Sequence, residues 1–594
     1  MLTTLLLAVG MLTASAQTQT VKGVVTSAAD GEPLIGATVM VKETKAGTVT
    51  DFDGNYTTKV AKGQTLVFSY IGFESKSVKY TGQATINVAL ENDASTLDEV
   101  VVVGYGVMKR SDLTGAVSSI DEKAIKQGVN TNIEQAMQGR IAGVQVTQNS
   151  GAPGGGISVQ IRGVNSLSAN EPLYVIDGIA VSGQTDGNSS ALSSLNPSDI
   201  VSLEVLKDAS ATAIYGSRAQ NGVVLITTKR GQEGKTQVQY EGYMGWQSIP
   251  NTLDLMNLKE YAAFYNERGM LYGGDWAIRE DFKDPSLLTD GTDWQDVLFQ
   301  TAFMHNHQLN VSGGANGTRF SVSGGYLNQD GIGIGSSFER ASFRSNLDMN
   351  VNKWMTAGAN LSFSATKRTV TFDESNVIQT ALQQFPDVAA KNPDGSYGFN
   401  SDMSDKFNVS YQNPLFEADM RENDRKNFGL DYNVFANIFP VKGLNIRLEY
   451  GGSRSWNYTN QFQPDYQYGS TIITSQSTRR IDKNEYSSLK TYATYDVDPF
   501  KGHHLQVMAG HESQWGLWGF LSGSRKGYVS DAIHFLNVGD SETATNGDGE
   551  NEWAIESYYG RLNYNLYDKY LFTATLRADG SSSFSKGNRW GYFP

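Results

Sequence analysis

NLDMNVNKWMTAGANLSFSAT, residues 346–366, is the stretch whose reading decides the fold. Asn346, Asp348 and Asn350 alternate with Leu347, Met349 and Val351. After the Asn352 to Trp354 break, Ala357, Ala359, Leu361, Phe363 and Ala365 alternate with Gly358, Asn360, Ser362, Ser364 and Thr366. Successive side chains of a strand point to opposite faces, so a period of two gives one apolar face and one wet face. The same period recurs at Phe320, Val322 and Tyr326, at Leu444, Ile446, Leu448 and Tyr450, and at Tyr558, Leu562, Tyr564 and Leu566. About eleven such strands are expected from Gln237 onward, many near the ~10 residues that cross a bilayer at a tilt.

The connections carry a second signal. Short ones, at Gly314 to Gly317, Asn352 to Trp354, Pro440 to Gly443, Asp498 to Gly502 and Tyr567 to Lys569, alternate with long ones near 248–303, 328–337, 368–426, 455–486 and 514–554. Transmembrane barrels obey this parity, with short periplasmic turns and long outer loops, whereas a soluble sandwich has no reason to. A first strand at 237–247 that runs outward must end in a long loop, and 248–303 supplies one.

Composition agrees. With 48 Lys plus Arg against 62 Asp plus Glu, the 594-residue chain carries a formal charge of -14, which repels phosphate polymers and argues against nucleic-acid binding. Hydrophobic residues make up 39%, and after the leader no apolar run is long enough for a membrane helix. Cysteine is absent, which removes disulfides, thiolate metal sites, thiol catalysis and cysteine lipidation. Residues 1–16, MLTTLLLAVGMLTASA, read as a signal peptide ending in Ala14-Ser15-Ala16, so that Gln17 begins the exported protein. No Lys or Arg precedes the apolar run, which places the expected true start upstream of Met1.

Four regions precede or form the barrel. Residues 17–92 alternate short strands with turn signals, as a small β-sandwich does. Asp51 and Asp53 read there as hairpin-turn chemistry, because the twelve-residue calcium loop with its terminal Glu is missing. After the polar linker ENDAST comes LDEVVVVGYG, residues 97–106. Its four valines form a strand with no obvious hairpin partner, suited either to continue the sandwich or to add itself to another protein's sheet edge. Residues 107–231 mix short helices with short strands, in an α+β pattern, and 232–594 hold the barrel strands.

Asp98-Glu99-Val100-Val101-Val102 resembles the TonB box of TonB-dependent transporters of the SusC/RagA type. QGRIAGVQV (138–146), VQIRGVNSL (159–167), LYVIDGIAV (173–181) and the run from Ser198 to Gly231 resemble that family's plug domain, in its order. Gly23-Val24-Val25, Pro33 to Ala37 and Thr50-Asp51 through Gly54 resemble the carboxypeptidase-regulatory-like domain that precedes many such receptors. The resemblance implies a mainly β outer-membrane protein made of sandwich, α+β plug and the first half of a barrel of about 22 strands, the chain being a truncated form. It implies sandwich and box on the periplasmic side, with Leu97, Asp98, Glu99, Val100, Val101, Val102, Val103, Gly104 and Tyr105 as the segment that TonB grips. It further implies a SusD-like lipoprotein as lid, and import of an oligosaccharide or, in the alternative, a peptide, siderophore or vitamin. A surface adhesion or scaffold barrel is the rival from another class.

Candidate chemistry is sparse. Gly234-Lys235-Thr236 lacks the earlier glycine of a phosphate loop, and Gly154-Gly155-Gly156 lacks dinucleotide-binding spacing. His305 and His307 share a strand face without a third ligand at a telling spacing, and His503, His504 and His511 are read the same way. No nucleophile triad stands out, so neither enzyme activity, cofactor nor metal is expected. Trp246, Trp276, Trp294, Trp456 and Trp553 lie in or beside the outer loops, where interface girdles explain most aromatics and sugar stacking is the functional alternative.

Overall fold

The computed structural model describes residues 18–594 except 29–30, 35, 45, 71–72, 74, 91–99, 104, 110–116, 165–170, 182–191, 275–276, 371–376, 401–405, 407–410 and 469–470. The leader, Leu97 to Glu99, Gly104 and Trp276 therefore lie outside the described residues.

Residues up to Leu90 form a two-sheet sandwich. Thr18–Ser27 lies between Asn55–Ala61 and Val88–Leu90 in one sheet, and Gly47–Val49, Thr38–Val41, Thr65–Ser69 and Lys76–Lys79 make the other in that order. Alternate residues point inward, and Val21, Val25, Val39, Val41, Leu66 and Phe68 are fully buried between the sheets. The Asp51 carboxylate accepts from the backbone N–H of Asn55 at 2.8 Å and of Asp53 at 3.0 Å, contacts that hold its pKa below the ordinary value. The aspartate thus closes a turn on its own backbone. One detail differs from expectation: the flanking strands Gly47–Val49 and Asn55–Ala61 belong to different sheets, so this turn carries the chain between layers and not around a hairpin.

The middle segment is a five-stranded sheet in the order Val117–Asp121, Ile200–Leu206, Val223–Thr228, Leu173–Ile176, Ile179–Val181, beside the hairpin Val144–Gln148 and Ile157–Ile161. Val223–Thr228 runs parallel to Leu173–Ile176 and antiparallel to Ile200–Leu206. Its apolar run is also covered on both faces, with Val224 and Ile226 in one core and Val223 and Leu225 in another, and all four are buried. The short helical turns Ile133–Met137 and Ala213–Ala219 close the ends of this body.

Twelve further strands form one antiparallel meander, numbered here in chain order: β1 Gly234–Gln247, β2 Ala302–Ala315, β3 Thr318–Asp330, β4 Ser337–Asn352, β5 Met355–Thr369, β6 Glu422–Ile438, β7 Leu444–Gln463, β8 Gln476–Phe500, β9 His503–Lys526, β10 Thr545–Leu566, β11 Tyr570–Ser581 and β12 Trp590–Phe593. The sequence pattern predicts about eleven, and the short β12, paired with Arg577 to Gly580, is the addition. Short and long connections alternate as expected. The last two long loops are shorter than their sequence suggests, because β8 has 25 residues, β9 24 and β10 22. About ten residues cross a bilayer, so these strands stand well beyond it.

Burial in this sheet is inverted relative to a soluble protein. On the face that carries the middle segment, Asn346 and Asn360 are 2% and 7% exposed, while Leu361 and Phe363 on the other face are 43% and 45% exposed. A wet inner face sealed by the enclosed segment and an apolar outer face are what lipid on the outside demands.

Candidate functional site

The LDEVVVVGYG segment is not an unpaired strand. Val100–Val103 pairs with Gly106–Lys109 in a two-stranded sheet, a local partner that the sequence reading missed. Tyr105, between the two strands, enters the space between the middle segment and the wall. Its ring stacks on Tyr559 of β10 at 4.6 Å and on Tyr215 at 5.9 Å, and meets Tyr492 of β8 edge-on at 5.5 Å. Its hydroxyl donates to Glu512 Oε2 of β9 at 2.5 Å and accepts from Arg577 Nη1 of β11 at 3.1 Å. Burial first, and then the Glu512 carboxylate, hold the Tyr105 phenol well above its ordinary pKa, so it stays a donor.

Arg577 is the hub. It donates to Glu512 at 2.9 Å, to Asp579 Oδ1 at 2.7 Å and to the Ile214 carbonyl at 2.7 Å. Asp579 Oδ2 in turn accepts from the Ser217 N–H at 3.0 Å. Gly216 makes the approach of that turn possible: its φ is 62°, and a Cβ there would lie 1.9 Å from Asp579 Oδ2. Nearby, Lys490 of β8 is bonded to Glu449 of β7 at 3.1 Å and to the Gly178 carbonyl, and Arg447 reaches Glu449 at 2.7 Å. Arg577, Lys490 and Arg447 thus face Glu512, Asp579 and Glu449, so charge balances within the cluster. Desolvating each ion costs several kcal/mol, which such mutual pairing offsets only when every partner is in place. A cavity of about 430 Å³ adjoins these groups, lined among others by Tyr105, Asp177, Arg230, Asp348 and Glu449.

Elsewhere the wall grips the middle segment by backbone carbonyls and by side chains. Arg340 Nη1 of β4 donates to the carbonyls of Thr131, Ser193 and Leu195 at 3.0 to 3.1 Å. Arg368 Nε reaches the Pro153 carbonyl at 3.0 Å, and Asn346 reaches that of Lys229 at 2.7 Å. Gln308 of β2 bridges Asn196 and Asp199 at 2.5 and 2.7 Å.

The other nominated residues scatter. His305 and His307 lie on the outer face of β2, His307 against the Tyr240 hydroxyl at 2.6 Å. Among the described residues no three acidic or histidine side chains come together as a metal site would require. Trp294 is buried in the core of the outer loops, its Nε1 on the Phe385 carbonyl, and Trp246 is exposed on the outer face. Trp553 stands on the inner face, over the middle segment.

Comparison with known proteins places these parts. Residues 109–223 match the family model of the TonB-dependent receptor plug domain, and residues 21–102 match that of the CarboxypepD_reg-like domain. The TonB-dependent receptor SusC of Bacteroides thetaiotaomicron is 36% identical over 605 residues, which cover 98% of this chain and 58% of that protein. Over nearly its whole length the chain is similar to TonB-dependent receptors of the SusC/RagA type. It is an outer-membrane β-barrel protein. TonB-dependent receptor P3 of Formosa agariphila is 34% identical, over 98% of this chain and 56% of its own length. Of solved structures, the RagAB peptide importer in its open-open state superposes with a TM-score of 0.68 at 28% identity, over 83% of this chain and 57% of that one. The ferric citrate transporter FecA, at 10% identity and a TM-score of 0.51, shares the fold. The chain spans a little over half the length of the curated relatives it matches. The middle segment holds most of the residues that match the plug model, and the Tyr105 cluster joins the chain between Val103 and Gly106 to both plug and wall.

Proposed function

We propose that this chain carries the energy-coupling half of an importer that moves a nutrient, an oligosaccharide, across the outer membrane under the control of TonB. TonB grips Leu97 to Tyr105 by strand addition, where backbone hydrogen bonds of about 1 kcal/mol each give a reversible attachment. The observation that carries the reading is the Tyr105 contact. The last residue of the box segment bonds directly to Glu512 and Arg577, which also hold the plug turn at Ile214 to Ser217. Force on the box therefore arrives first at the groups that fix the plug to the wall. A SusD-like surface lipoprotein serves as the lid, and the protein binds and passes its cargo without transforming it.

The likeness to the RagAB peptide importer supports a second reading, in which the cargo is a peptide. Deletion of residues 97–105 tests the common core of both. Loss of nutrient accumulation in cells, with the protein still assembled in the outer membrane, is the expected result. Unchanged accumulation would leave an adhesion or scaffold barrel as the better account.

A further inference from the structure

The inner face of β8, β9 and β10 continues outward past the Gln514–Arg218 contact with the plug, and alternation fixes which side chains it presents there. Gln514 Oε1 of β9 accepts from plug Arg218 at 2.5 Å, so Gly516, Trp518 and Phe520 share the plug-facing side, with no register shift between them. By the same parity Asn484 and Asp482 follow Tyr486 outward on β8, and Asn551 follows Trp553 on β10. Trp518 lies four residues beyond Gln514, about 13 Å along the strand. It is 40% exposed, with Asn484 directly across on one side and Asn551 on the other.

The aromatic rings lie against the sheet. A Cβ at Gly516 would come within 2.6 Å of the Trp553 indole, and one at Gly549 within 2.9 Å of the Phe520 ring. Each ring therefore rests over a glycine of the neighbouring strand and turns a face away from the sheet. Trp553 is stacked with Tyr486 at 6.1 Å, and Trp518 lies 5.5 Å from Phe520. Charge cancels locally: Arg480 sits 4.1 Å from the Phe520 ring centre and is bonded to Asp482 at 2.6 Å. Exposed ring faces flanked by amides match a pyranose or furanose ring, whose C–H face is apolar and whose rim is hydroxyl. Arg218, beside Trp553 on the plug side, is bonded to Gln514, and the residues paired with Trp518 itself are the amides Asn484 and Asn551, whereas peptide termini would call for charged partners there.

We propose that Trp518, with Trp553, Phe520 and the Asn484 and Asn551 amides, forms a subsite for a neutral sugar residue of an oligosaccharide just above the plug. This rests on the proposed import of an oligosaccharide and names residues that would hold one of its sugars. Trp518 supplies the stacking face and the two amides orient the hydroxyls. Trp553 is the rung nearest the plug, with Arg218 5.9 Å from its ring.

The test applies the detergent-purified protein to an array of neutral glucan, mannan, xylan and fructan oligosaccharides beside an array of tryptic peptides. The expected result is retention of at least one neutral oligosaccharide class, weakened about tenfold by Trp518→Ala and largely restored by Trp518→Phe. Trp515→Ala, on the outer face three residues away, leaves retention unchanged. Retention of peptides alone, of no oligosaccharide, or of oligosaccharide with full strength in Trp518→Ala overturns the subsite. Uptake in cells carrying the 97–105 deletion is scored separately, so import can stand while the sugar subsite fails, and the reverse.

Discussion

Tyr105 and Glu512, 407 residues apart in sequence, share a hydrogen bond of 2.5 Å. One end of that bond belongs to the segment expected to meet TonB and the other to a barrel strand. A hydrogen bond to a charged group contributes about 1.5–3 kcal/mol. Its loss is therefore expected to expose the box segment without unfolding the protein. Since the chain has no cysteine, a single Val102→Cys provides a clean reporter. Tyr105→Phe and Glu512→Gln should each raise its labelling by a water-soluble maleimide about tenfold in cells lacking TonB. Equal labelling in parent and variants would mean that the segment is held by something else.

Arg577 invites a stability prediction. Its side chain is 2% exposed and faces both Glu512 and Asp579. Arg577→Leu strands two buried carboxylates, and removing one partner of such a pair costs about 3–5 kcal/mol. The midpoint of urea unfolding should fall accordingly, whereas adding Glu512→Gln and Asp579→Asn to Arg577→Leu should recover part of the loss. A triple variant no better than the single one would show that packing, not charge, dominates there.

The wall was legible because its two faces differ in polarity at every second residue, as Asn346 to Thr366 illustrates. The same period could have pointed to Trp518, which follows Gln514 and Gly516 on one face. Choosing the inner face, however, requires a plug contact such as that of Gln514 with Arg218. Tyr105 was assigned to the box from resemblance, but its partners were hidden, since nothing local links one of 29 tyrosines to Glu512, Tyr559 and Arg577. The pairing of Val100–Val103 with Gly106–Lys109 escaped notice for a different reason: the two residues that separate the runs are too few to read as a turn signal.

Gly216 is a sharper test of the plug turn. Its positive φ strains any side chain by about 1–3 kcal/mol, and the Asp579 carboxylate fills the space a Cβ would need. Gly216→Ala is expected to loosen the Ile214 to Ser217 turn, seen as faster trypsin cleavage within the plug while β1 to β12 remain resistant. Gly587→Ala, also at positive φ but with open space around it, should strain only its own loop. Identical cleavage in the two variants would deny the Asp579 contact its role.

The outer face of β5 supplies a test of what lies outside the wall. Leu361 is seven residues into a strand that begins at the short turn before Met355, which places it near mid-depth of a span of about ten residues. An arginine there must leave water for hydrocarbon, at about 2–4 kcal/mol at the midplane of a barrel. Leu361→Arg should lower the fraction assembled in the outer membrane, read as heat-modifiable migration in unboiled samples, and Leu361→Phe should not. The neighbouring inner position answers to different physics: Asn360 is 7% exposed and sits beside the plug, so Asn360→Leu changes the fit to the plug and not the contact with lipid. If Leu361→Arg assembled as well as the parent, that apolar face would be covered by protein, and the inverted burial of this sheet would need another cause.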